Sequence, residues 1–354
     1  MRYSDFLLAN QPLYPLRFAP VYKDYLWGGN RLRARFGRSL PQAFIAESWE
    51  IADHPNGESV VLNGPLRRRT LNELVRARCQ DLLGEDVARR RDCDRFPLIL
   101  KYLDAKLPLS VQVHPDDETA ADLNLGDGGK TEAWVIVDAE PESKLWLGTD
   151  RNYSKAELER AIQSGELEHC LHSVPVKVGD CFFLPSGTLH ALGAGIMVVE
   201  VQTNSDLTLR LFDWNRVGPD GKPRELKIAE ALRSLRLPCG PIKAQPSFSS
   251  EHRNCERLLI CEQFMLNRWT LSEPMVWSND DRAHLWTVLE GTATAIFNAG
   301  RRIAPKKQSG RESDPDAIEV LRKGDSILAP AMCPGFHWIT EGGEKVTLLD
   351  AVVT

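Results

Sequence analysis

Residues 109–132, LSVQVHPDDETAADLNLGDGGKTE, constrain the fold more than any other stretch of the chain. They open on Val111-Gln112-Val113-His114, and the two-residue period of a strand sends Gln112 and His114 to one face and the valines to the other. Such a strand needs a sheet with one apolar side to bury and one polar side. Glu132 opens the next apolar run, 133–137, so a carboxylate stands at the mouth of a second strand. Downstream, Phe182-Phe183-Leu184-Pro185-Ser186-Gly187-Thr188-Leu189-His190 is a strand that enters a Pro/Gly turn and delivers a histidine. A single histidine is more often an ordinary structural or surface residue than a ligand. Two imidazoles, a carboxylate and an amide oxygen on strand ends suit a divalent first-row metal, zinc first, because it accepts nitrogen and oxygen donors without geometric preference.

The remaining chain reads as strands with helical pieces between them. Thr70-Leu71-Asn72-Glu73 and Ser154-Lys155-Ala156-Glu157 are capping boxes, predicting a helical insert over about 70–92 and a helix that Gly165 ends. Asp116 or Asp117 can cap a short helix through Ala120. Apolar and β-branched runs predict strands at 98–103, 177–184, 196–202 and 208–212, with Thr208, Arg210 and Phe212 sharing a face in the last. A Pro- and Gly-rich stretch, 237–250, predicts a linker, and strands resume at 264–271, 285–289, 292–297, 326–329 and 345–350. The charged run 301–316 predicts a surface loop. Val178-Gly179-Asp180 before Leu184-Pro185 is echoed by Lys323-Gly324-Asp325 before Ala329-Pro330. Aligning Trp134 on Trp286 sets Glu132 on His284, with no counterpart of Gln112-x-His114 before it, so the second half predicts a related β-fold without the metal set. The expected fold is mostly β, two jelly-roll barrels with inserted short helices. Domain boundaries are expected at 1–236, with the insert, and at 251–354.

Composition narrows the function class. With 44 Lys and Arg against 49 Asp and Glu, the net charge is −5 and no long basic block exists to track nucleic acid. No stretch reaches the length of a membrane span, and the N-terminus lacks a basic region followed by an apolar core. The eight cysteines contain no C-x-x-C pair, which predicts free thiols and a cytoplasmic protein.

Four segments resemble a known family: Leu109-Ser110-Val111-Gln112-Val113-His114-Pro115-Asp116-Asp117, Gly129-Lys130-Thr131-Glu132-Ala133-Trp134, Pro185-Ser186-Gly187-Thr188-Leu189-His190-Ala191-Leu192-Gly193, and Ser205-Asp206-Leu207-Thr208-Leu209-Arg210-Leu211-Phe212-Asp213-Trp214. In this order, with Glu47-Ser48-Trp49-Glu50 upstream, they are similar to the cupin-fold mannose-6-phosphate isomerases of the shorter bacterial type, over residues 12–235. The resemblance implies a zinc-dependent aldose-ketose isomerase with one ion per chain, acting on a phosphorylated sugar. By motif, Gln112, His114, Glu132 and His190 would bind metal, Arg210 and Lys130 would be catalytic, and Glu200, Asp206 and Ser110 would contact substrate. Moving a carbonyl between C1 and C2 requires removing a carbon-bound proton, and Glu200, Lys130, Asp206 or a water could carry it. Outside the resemblance, Arg210 could pair with Asp206 or Asp213, and Glu47 or Glu50 with Arg31 or Arg33. Rival readings are an iron-dependent oxygenase on two histidines and a carboxylate, and a sugar-binding module without turnover.

Overall fold

The structure is a computed structural model describing residues 11–218, 221–297 and 317–354. The 301–316 loop and residues 1–10 of the N-terminal arm lie outside the described residues. The chain is mostly strand, and it divides into two units that interleave along the sequence. One holds Tyr22–Trp49 and Leu98–Pro246; the other holds residues 11–21, Glu50–Pro97 and Ser247–Thr354.

The first unit is built on two sheets. In order, the six-stranded sheet runs Cys181–Leu184, Glu132–Ala139, Ile196–Thr203, Leu98–Ala105, Glu47–Ile51 and Val21–Lys23. The five-stranded sheet runs Leu171–Pro175, Lys144–Thr149, His190–Ala191, Val111–Val113 and Leu209–Phe212. Leu145 and Leu147 of the smaller sheet pack with Trp134, Ile136, Phe182, Leu184, Ile196 and Val198 of the larger, so the two sheets share one apolar interior. The opposite face of the five-stranded sheet is covered by Leu158 and Ile162 of helix Lys155–Gln163 and by Ala231 of helix Ile228–Ser234. Gly148 is required on strand Lys144–Thr149: it takes φ +72°, and a Cβ there would stand 1.8 Å from the Cys239 carbonyl oxygen.

The second unit has a six-stranded sheet, Phe248–Ser249, Cys255–Ile260, Phe264–Leu271, Val346–Val353, His284–Glu290 and Ser326–Ala329, and a four-stranded one, Met275–Trp277, Phe336–Thr340, Thr292–Phe297 and Ala317–Arg322. Helices Leu71–Leu83 and Glu85–Arg90 belong to this unit, together with the residues that flank them in sequence. The carbonyls of Asp81 and Leu82 accept from the Met332 and Ala331 amides, which gives the end of the first helix its partners.

Local chemistry behaves as the sequence indicates at the helix starts. Both capping boxes form, Asp116 accepts from the Thr119 amide, and Gly165 adopts φ +76° just beyond its helix. The insert is two helices broken at Gly84. The echo between the halves is a shared turn: Gly179 donates to Ile136 O and Gly324 to Val288 O, each with positive φ, while Asp180 and Asp325 accept from the amides three residues earlier. That turn removes 177–180 from the strand expected there, which starts at Cys181. An irregularity between Arg210 and Phe212 breaks the expected common face: Arg210 faces Gln112's strand partner position, whereas Phe212 joins the helix-covered core. Cys79 and Cys93 form a disulfide, correcting the expectation of eight free thiols; the hairpin of helices brings their Cα atoms to 5.6 Å. Among the described residues, no helix is long and apolar enough to cross a membrane.

Candidate active site

Strand register assembles the site. Gln112 pairs with His190 on one side and with Arg210 on the other, so three adjacent strands present an imidazole, an amide and a guanidinium in a row. From the larger sheet, Glu132 starts its strand opposite Leu184 and Gln202. His114, Glu132 and His190, all buried, bring one ligand atom each to within 4.8 Å of one another, the only such trio among the described residues. His114 Nε2 lies 3.5 Å from Glu132 Oε2, and His190 Nε2 lies 3.2 Å from Glu132 Oε1.

Both imidazoles are oriented from behind. Nδ1 of His114 meets Leu207 O at 2.7 Å and Nδ1 of His190 meets Thr188 O at 2.9 Å. A carbonyl only accepts, so each Nδ1 carries the proton and each Nε2 offers a lone pair to the interior. Burial first, then the charges of Lys130 and His190, hold His114 well below the usual imidazole range, which keeps it neutral. Burial pushes Glu132 up, but Lys130 and His190 outweigh it and its pKa falls. His114 Nε2 and both Glu132 oxygens make no hydrogen bond of ordinary geometry, although Lys130 Nζ stands 2.6 Å from one of those oxygens. Polar atoms this buried are normally satisfied, and lone pairs converging on one point fit a cation.

Gln112 is only partly arranged as a fourth donor. Its Nε2 faces His190 Nε2 at 3.2 Å, and its Oε1 accepts from Ser110 Oγ at 3.3 Å. Coordination by the oxygen requires the amide to turn over. Ser110 Oγ in turn accepts from Arg210 Nε at 3.1 Å, and Arg210 Nη1 donates to Glu225 O at 3.0 Å. Arg210 makes neither of the ion pairs considered from sequence, with Asp206 or Asp213.

Beside this group is a cavity of about 220 Å³ lined by Ser110, Gln112, Lys130, Glu200, Asp206, Thr208 and Arg210, together with Tyr25, Trp27, Glu47, Lys101, Trp134 and Arg224. A chain of alternating charge runs along its wall. Lys101 Nζ is 3.3 Å from both Glu47 Oε2 and Glu200 Oε1, and Lys130 Nζ is 3.0 Å from Glu200 Oε1. The Trp49 indole donates to the same Glu47 oxygen at 2.7 Å, and the Trp134 indole to the other oxygen of Glu200, Oε2, at 3.0 Å. Burial alone would lower both lysines, yet Glu200 and Glu47 around Lys101, and Glu132 and Glu200 around Lys130, raise them, so both stay protonated. Glu47 thus pairs with Lys101, while Arg31 pairs with Asp104 and Asp138 instead. Tyr25 is pushed up to about 12 by burial and by Glu47 and Asp206, so its hydroxyl remains a donor.

Sequence reasoning brought together every residue named for the site, but missed Lys101 and Arg224. Lys101 sits within the apolar run Leu98–Ala105, where a lysine with both faces buried is itself a signal for paired carboxylates. Arg224, in a Gly/Pro-rich loop, carries no such mark.

The family described as phosphomannose isomerase type I, catalytic domain, matches residues 15–130. Mannose-6-phosphate isomerase ManA of Bacillus subtilis is 37% identical over 321 residues, covering 89% of this chain and 93% of its own. The mannose-6-phosphate isomerase of Streptococcus mutans is 36% identical over 317 residues, covering 89% and 92%. The crystal structure of a mannose 6-phosphate isomerase from Bacillus subtilis superposes with a TM-score of 0.82 at 33% identity, covering 96% of this chain and 99% of that one.

Proposed function

We propose, for a chain that belongs to the mannose-6-phosphate isomerase family, that it interconverts mannose 6-phosphate and fructose 6-phosphate with a zinc ion held by His114, Glu132 and His190, and by Gln112 once its amide is turned. The observation that carries this reading is the buried trio, in which His114 Nε2 and both Glu132 oxygens lack a hydrogen bond, set beside a cavity walled by fixed cations and carboxylates. Zinc there would polarise the substrate oxygens and spread the negative charge that develops when a proton leaves carbon.

The chain's own groups divide the rest of the work. Isomerisation passes a proton from one of C1 and C2 to the other through an enediolate. Glu200 and Asp206 are carboxylates of the cavity wall that can accept that proton. Lys130, held protonated between Glu132 and Glu200, is an acid and an anion-stabilising charge, not a base. Arg210, tied to Ser110 Oγ, presents a second permanent cation beside Gln112. Ser110 thereby positions Arg210 and Gln112 together. We read the two pairs of sheets as two cupin-like barrels, of which the C-terminal one carries His284 where the metal-binding one carries Glu132. The substrate's charge keeps it from crossing a bilayer unaided, which supports an enzyme acting in the cytoplasm.

The test is conversion of fructose 6-phosphate in deuterium oxide by the zinc-loaded protein. Mannose 6-phosphate bearing deuterium at C2 is expected. Failure to form mannose 6-phosphate overturns the activity, and the deuterium content at C2 reads how far the proton-carrying group exchanges with solvent.

A further inference from the structure

Charge is unevenly distributed around the cavity. On one side, Lys101 and Lys130 are already neutralised by Glu47, Glu200 and Glu132, all within 3.3 Å. Asp206 belongs to this side, because its charge acts on Lys101 and Tyr25. Each lysine already faces two carboxylates, so a further anion there meets charge that is already compensated.

Another part of the wall carries arginines. Arg216 and Arg224 pair with a single buried carboxylate, Asp213, and Arg210 is near enough to feel their charge. Arg216 is committed, donating to Asp213 Oδ1 and to Pro108 O, both at 2.6 Å. Arg224 lines the cavity with its side chain 24% exposed; Asp213 Oδ2 holds its Nε at 2.8 Å and Oδ1 holds Nη2. Its remaining guanidinium nitrogen has no partner among the described residues. Glu225, the next acid in sequence, is exposed and turned to Lys227 Nζ at 2.7 Å. Two guanidiniums on one carboxylate leave positive charge uncompensated, and Arg210 feels it: its pKa is lowered by burial and next by Arg224.

We propose that Arg224 holds the phosphate group of the sugar, with Asp213 as the positioning carboxylate that aims its guanidinium into the cavity; this rests on the isomerase reading above. A phosphate monoester carries about −1.5 to −2 near neutral pH. A planar guanidinium with donors to spare matches it better than lysines whose charge is already spent. The sugar then lies with its phosphate at Arg224 and its reacting carbons toward Arg210, Lys130 and Glu132.

Arg224→Gln is expected to raise KM for fructose 6-phosphate about 10- to 100-fold, the range for losing hydrogen bonds to a charged group. Competitive inhibition by inorganic phosphate should weaken by a similar factor, and Arg224→Lys should recover part of both losses. Wild-type KM together with wild-type inhibition by phosphate in Arg224→Gln overturns the assignment. If the glutamine variant does not fold, Arg224→Lys decides: a KM raised severalfold supports the site and an unchanged one overturns it. Calorimetric titration of inorganic phosphate into the metal-stripped protein reads the same residue without turnover. Weaker binding to the variant supports the site and equal binding overturns it, whereas a wild-type protein that binds phosphate but never converts fructose 6-phosphate overturns the isomerase reading instead.

Discussion

Replacing Lys101 with methionine keeps the volume of the side chain and removes its charge from between two buried carboxylates. In the native site its Nζ is 3.3 Å from Glu47 and 3.3 Å from Glu200, and its side chain is 5% exposed. At an effective dielectric constant of about 20, each contact represents about 5 kcal/mol of attraction, most of it offset by the cost of burying the charges. Removing one partner leaves that cost uncompensated, so Lys101→Met should destabilise the protein by about 3–5 kcal/mol near pH 8. The loss should shrink toward about pH 5, because a buried carboxylate without its cation can take up a proton. Adding Glu200→Gln to the variant should recover part of the stability, since one of the two stranded charges is gone. The assay is denaturant unfolding at both pH values, followed by tryptophan fluorescence, to which Trp49 and Trp134 beside the network contribute. A variant that unfolds at the wild-type denaturant concentration at about pH 8 would refute the reasoning.

Arg210→Gln should lower kcat at least about 100-fold while zinc content stays at one per chain, because a cation that faces developing charge is lost and no ligand is; loss of zinc together with activity would make Arg210 a structural support only. In the C-terminal unit, His284 lies 2.9 Å from both Asp350 and Asp280. Burial lowers its pKa, but the two carboxylates outweigh burial and push it up to about 9. A value raised on folding stabilises fully below the unfolded value of about 6.5, and that stabilisation is lost as pH rises through about 9. The Tm difference between wild type and His284→Gln should therefore be greatest near pH 6 and fall between about pH 7 and 10, and a flat difference contradicts the pairing.

What could be read from the sequence was what local chemistry encodes. The period of Val111-Gln112-Val113-His114, the carboxylate opening a strand at Glu132 and the Pro/Gly turn before His190 each fix where a side chain points, and the structure brings all three together. The capping boxes at Thr70 and Ser154 specify helix starts by hydrogen bonds made within four residues, so they needed no tertiary information. Features set by distant pairing were not legible. Lys101 takes its role from Glu47 and Glu200, which lie 54 and 99 positions away and share only sheet register with it. The break after Arg210 that turns Phe212 to the core comes from pairing with Val111, and no residue of 208–212 announces it. Placement of the helical insert with the C-terminal strands likewise depends on carbonyls at Asp81 and Leu82 finding amides about 250 residues on.

The most direct test of the account is zinc titration of metal-stripped protein, with fructose 6-phosphate conversion and bound metal measured together in wild type and in His114→Ala, Glu132→Gln and His190→Ala. The account requires no conversion without metal, full conversion at one equivalent of zinc, and loss of both zinc binding and conversion in the three variants. Undiminished conversion by stripped wild-type protein, or variants that bind zinc as tightly as wild type, would contradict it.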